Sequence, residues 1–87
     1  MSAKQPLVQV IWEDAAGLGG WQSVERHTAS GTIICCTVGH LLKKDKNSVV
    51  VALTVEQEEF DRACDTCTIP ARWVLSIKRL QVSKRRI

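Results

Sequence analysis

The amino-acid sequence predicts an all-β domain, and three observations carry that prediction. Ser48 to Glu56 is the cleanest two-residue-period segment, with Val49, Val51, Leu53 and Val55 on one face and Val50, Ala52 and Thr54 on the other. That two-residue period belongs to a strand. Thr32 to Lys43 is rich in β-branched and small apolar residues, which fit a pleated, buried surface. Nowhere does an apolar helical period run long enough to build a packed helix.

The remaining elements follow from local chemistry. Leu7 to Asp14 sets Val8, Val10 and Trp12 on one face, with Gln9 and Glu13 among the others, a half-buried first strand. Ala15 to Gly20 holds three glycines in six residues and forms a turn-rich loop leading to Trp21. Gln22 to Ser30 is polar, offers only Val24 for burial and has room for one short helical turn. Thr32 to Lys43 reads as a central strand buried on much of both faces. Gly39 within it marks a bulge or sharp bend, as a strand curling around a small barrel requires. Lys44-Asp45-Lys46-Asn47 is a charged turn that joins this strand to Ser48–Glu56 as a hairpin.

Gln57 to Asp65 reads as a long loop entering a fourth strand near Ala63 to Ile69. Pro70 ends that strand because it lacks the ladder donor. Pro70 to Trp73 fits a single 3₁₀ turn, and Val74 to Leu80 supplies a fifth short strand. Five short strands, a glycine-rich first loop and a 3₁₀ turn before the last strand predict a small, partly open SH3-like β-barrel. An OB-type barrel is the alternative. The barrel is expected over residues 7–81, between a flexible N-terminus (1–6) and a basic C-terminal tail (82–87). Its core is expected to draw on Val10, Trp12, Ile34, Val38, Val49, Val51, Leu53, Ile69, Val74 and Ile77.

With 87 residues the chain holds one small core. The uncharged, mostly apolar stretch Gly31 to Leu42 is too short and too polar to span a bilayer, so no membrane partner is expected. The opening residues Met1 to Pro6 carry no apolar signal region, and a cytosolic protein is expected. The net charge of +3 is unevenly placed. Residues 1 to 77 hold seven Lys/Arg against nine Asp/Glu, whereas the last ten hold Lys78, Arg79, Lys84, Arg85 and Arg86 with no acid. Such a basic end can meet nucleic acid, a nucleotide or an acidic partner, or simply be a solvated terminus.

Four cysteines in a chain this short suggest disulfides only in a secreted protein, so reduced thiols are expected. Cys35 and Cys36 are adjacent, and on a strand they point to opposite faces. Cys64 and Cys67 have the C-x₂-C spacing of a zinc knuckle, but no second knuckle follows. No metal and no cofactor are expected. Catalytic machinery is equally hard to assemble. His27 lies in a polar segment and His40 near the end of a strand, neither within a recognisable triad or H-E-x-x-H pattern. Glu56, Glu58, Glu59 and Asp61 cluster on a loop without rigid support, and Gly17 to Gly20 does not match a phosphate-binding loop. The sequence does not read as an enzyme.

Binding is the class that remains. Trp12, Trp21 and Trp73 are three of only four aromatic residues, and tryptophan is enriched at interface hot spots. Trp21 follows the glycine loop and is either an exposed anchor or a plug for one end of the barrel; with Trp73 and Arg72 it makes the candidate contact set for a protein partner. Absence of tyrosine and a single phenylalanine leave little for a base-stacking platform.

Val8 to Ala15 (VQVIWEDA), Gly20-Trp21, Cys36 to Leu42 (CTVGHLL) and Ile69 to Leu80 (IPARWVLSIKRL) form a pattern that resembles a group of small bacteriophage-encoded β-proteins of largely unassigned function. The resemblance covers roughly residues 8 to 80, and it implies the barrel but no catalytic residue. It implies a phage accessory protein in the host cytoplasm that binds and modulates or inhibits a host protein, such as a defence or transcription component. The alternatives are a nucleic-acid-binding module using Lys78, Arg79, Lys84, Arg85 and Arg86, or a sponge for a nucleotide second messenger gripped by Arg72, Lys78 or Arg79 across a homo-oligomer interface.

Overall fold

Alternating apolar residues build five antiparallel strands in the computed structural model, which describes residues 5–29, 31–58 and 61–81. The strands are β1 (Leu7–Asp14), β2 (Ile33–Lys44), β3 (Ser48–Val55), β4 (Ala63–Pro70) and β5 (Val74–Arg79). They form one sheet in the order β4-β3-β2-β1-β5. A six-residue helix, α1 (Val24–Ala29), lies in the β1–β2 loop, and one 3₁₀ turn, Ala71–Trp73, precedes β5. The all-β, partly open five-stranded architecture is the one the sequence predicts, and the sheet does not close.

The core lies on one face of the curled sheet. Val8, Val10, Val49, Val51 and Ile69 form its buried cluster, against which Trp12, Leu41, Cys67, Trp73, Val74 and Ile77 pack. In β1 the inward residues are Val8, Val10 and Trp12, as expected from their spacing.

Three residues expected in the core are exposed instead. Ile34, Val38 and Leu53 are 58%, 49% and 66% accessible. In β2 the register sets Thr37 opposite Val10 and Gly39 opposite Val8, so the odd positions face inward and Ile34, Cys36 and Val38 face out. Leu53 keeps inward parity with Val49 and Val51, but at its end of the β3–β4 hairpin none of the described residues covers it. Val8 and Ala52 were not among the expected core residues, yet they are 3% and 1% accessible.

The long strand β2 serves two neighbours in turn. It pairs with β1 from Ile33 to His40 and with β3 only from His40 to Lys44. At the handover Gly39 is buried, and a Cβ there would stand 2.7 Å from the carbonyl oxygen of Ala52. Glycine is needed for this close approach of two backbones. A bulge or sharp bend was expected at Gly39, and the register shift in the β2–β3 ladder lies between Leu41 and Lys43.

The β2–β3 turn is held by one carboxylate. Asp45 Oδ1 accepts the backbone N–H groups of Asn47 (2.8 Å) and Ser48 (2.9 Å), and the Asp45 N–H donates to the Ser48 carbonyl at 3.0 Å. The amide of Ser48 first, then that of Asn47, holds the Asp45 carboxyl below its ordinary value.

Candidate functional site

Antiparallel pairing of Asp14 with Ile33 brings the two roots of the β1–β2 loop together. Beside them stands the 3₁₀ turn, tied to the β2–β3 turn by the Ala71 N–H donating to the Asn47 carbonyl at 3.0 Å. Between these segments lies an open groove of about 310 Å³, lined by Glu13, Asp14, Ala15, Thr32, Arg72 and Trp73.

The aromatic wall of this groove is well braced. Trp73 stacks on Trp12 with ring centroids 6.5 Å apart and planes 10° from parallel. The Trp12 Nε1–H donates to Thr37 Oγ1 at 2.9 Å, which orients the inner ring from the neighbouring strand. Both indoles pack against the buried valines, so the outer ring is presented from a rigid base. On the opposite lip, the Thr32 hydroxyl donates to the Glu13 carboxylate and Asp14 Oδ1 accepts the Ala15 N–H at 2.8 Å. Arg72 is exposed and forms no ion pair among the described residues.

The loop between these roots leaves its few large apolar residues unpacked. Trp21 is fully exposed at 102%, Val24 is 78% exposed, and Leu18 is exposed as well. Gly20, at φ 74°, takes the left-handed conformation immediately before Trp21. Ser23 then starts α1: its hydroxyl accepts the Arg26 N–H at 3.1 Å, and its carbonyl accepts the His27 N–H at 3.1 Å. No residue of α1 is buried. The helix extends the loop without adding to the core.

The sequence-predicted residues therefore separate into three groups. Arg72 and Trp73 come together in the groove, and Trp21 stands on the loop whose roots line the same groove. Lys78 and Arg79 are exposed on β5, in register with Gln9 and Val8 of β1. Lys84, Arg85 and Arg86 lie outside the described residues. Glu13, Asp14 and Thr32 were not singled out from the sequence. Their signal was indirect, since only the pairing of β1 with β2 makes the two loop ends neighbours.

The cysteines are all free thiols, and the strands distribute them. Cys67 packs against the core from β4, whereas Cys64, three residues earlier, is exposed. An odd spacing on a strand sends the two side chains to opposite faces. At the tip of the β3–β4 hairpin the Arg62 guanidinium pairs with Glu56 at 2.5 Å. That contact occupies the basic group nearest in sequence to Cys64. No helix among the described residues is long and apolar enough to cross a membrane. Compared with known proteins, the chain matches no family model, no curated protein and no solved structure, so these residues themselves carry the functional reading.

Proposed function

We propose that this chain is a non-enzymatic binding module, a phage accessory protein that engages a host protein in the host cytoplasm through its β1–β2 loop and the adjoining groove. One observation carries the reading: Trp21 is completely exposed, with Val24 and Leu18 exposed beside it in sequence, on a loop that packs no residue of its helix into the barrel. Burying a tryptophan of about 200 Å² is worth about 5 kcal/mol, an energy the folded chain leaves unspent in isolation. A partner with a matching apolar pocket recovers it. Trp73 and Arg72 then give the contact a second, rigid half: a braced indole and a guanidinium free of ion pairs among the described residues.

The rival reading uses the basic end. Lys78 and Arg79 are exposed on β5 and lead towards Lys84, Arg85 and Arg86, a set that suits nucleic acid or a nucleotide phosphate. Capture from host lysate, with and without nuclease, separates the two. The protein-partner reading expects nuclease-resistant capture that Trp21→Ala abolishes and removal of residues 83–87 leaves nearly intact. Capture lost with nuclease, steeply weakened by salt and insensitive to Trp21→Ala, would transfer the function to the basic end.

A further inference from the structure

Three of the sheet's unpaired edges among the described residues are not alike. The outer edge of β5 carries Lys78 and Arg79, and that of β4 carries Asp65 in a left-handed conformation (φ 57°) and ends at Pro70. Charges, local twist and proline are the devices by which edge strands avoid pairing with other chains. The third edge is the flank of β2 that β1 does not cover. From Ile33 to Gly39 this strand has a neighbour on one side only, because β3 joins it no earlier than His40. Among the described residues no other backbone hydrogen bond reaches it there.

This third edge carries no guard. Thr32 to Val38 (TIICCTV) contains no charge and no proline, and Ile33, Ile34 and Val38 are all about half exposed or more. An uncharged, β-branched segment on an open edge pairs with another strand unless something prevents it.

We infer that the β2 edge is a self-association site, at which two copies of this chain pair their β2 strands antiparallel about a two-fold axis at Cys36. The sequence of the edge selects a second copy. With Cys36 opposite Cys36, Ile34 lies opposite Val38 and Cys35 opposite Thr37, so every facing pair keeps its side chains on a common face. Ile34, Cys36 and Val38 are the exposed, outward set of this strand, and the pairing joins them to their copies in one apolar stripe. No charged residue lies on the paired stretch itself. A foreign peptide would find no charged group on this stretch to recognise, whereas the strand complements itself. The pairing is isologous and therefore closes at two copies. The paired segment is a single short strand from each copy, less than a stable complex ordinarily uses, so association is weak and concentration-dependent. The inference stands apart from the proposed function, since it uses none of Trp21, Arg72 and Trp73.

Sedimentation of the full chain across a concentration series tests it, together with a bismaleimide that links thiols. The expected result is a rise from one-copy to two-copy mass with concentration. Covalent dimer should form in the native chain and in Cys64→Ser but disappear in Cys36→Ser. Cys36 is exposed, so Cys36→Lys and Cys36→Glu leave the core untouched. Each should weaken association at least tenfold, because it sets like charges face to face, and an equimolar mixture of the two should restore the two-copy mass. A native chain that stays at one-copy mass up to about 1 mM, where even a millimolar complex is populated, overturns the inference. So does a dimer that survives unchanged in both charge variants.

Discussion

Gly39 shows how one residue can be determined by a neighbour far along the chain. Its missing Cβ makes room for the Ala52 carbonyl, 2.7 Å from where that atom would sit. The obstacle is backbone, held in the β2–β3 ladder, and it has no rotamer to escape into. Gly39→Ala is therefore expected to destabilise the fold by about 1–3 kcal/mol, the usual cost of overpacking a tight site, when followed by urea unfolding. Gly17, Gly19 and Gly31 meet nothing within 4 Å, so alanine at Gly31 should shift the midpoint far less. The contrast between the two variants tests the close approach directly.

At the scale of an element, the β2–β3 turn works as an acid-sensitive clasp. Asp45 accepts two backbone amides and stands 3.3 Å from the Lys43 ammonium. Ser48 and Asn47 depress its pKa in the folded state, so the unfolded chain binds the proton more readily. The stabilisation is therefore fully present above the unfolded carboxylate value and is lost as pH falls through the lowered folded value. Thermal unfolding should show native chain and Asp45→Ala converging in stability as the pH drops below the carboxylate range. A gap between them that stays constant down to that acidity would remove Asp45 from the clasp.

The whole molecule divides into a firm sheet and an unpacked loop. The buried cluster draws on β1, β3 and β4, with Leu41 of β2 and Val74 and Ile77 of β5 against it. Local opening should follow that division. Amide exchange is expected to be slowest at Val10, Val51 and Ala52, flanked by strands on both sides, and fastest from Gly17 through α1, where nothing is buried. Binding a partner through Trp21 should then slow exchange in the loop while leaving the sheet almost unchanged. Protection of α1 equal to that of β1 in the free protein would contradict this division.

Much of the fold was legible in the residues. The alternation in β1 and β3, the charged turn at Asp45, the 3₁₀ turn after Pro70 and the shortness of α1 are local, and local chemistry decides them. Trp21 was legible only as a choice between an exposed anchor and a plug for one end of the barrel, and its full exposure was decided by the tertiary structure. What a single strand cannot state is which of its faces will be covered. In β2 both faces are apolar, and only pairing with Val8 and Val10 turned Thr37 and Gly39 inward and left Ile34 and Val38 outside. Leu53 had the right parity and still stayed exposed, because cover comes from elements distant in sequence. The groove has the same origin. Periodicity sets how side chains alternate along a strand, but Asp14, Thr32 and Trp73 become neighbours only when β1, β2 and the 3₁₀ turn meet.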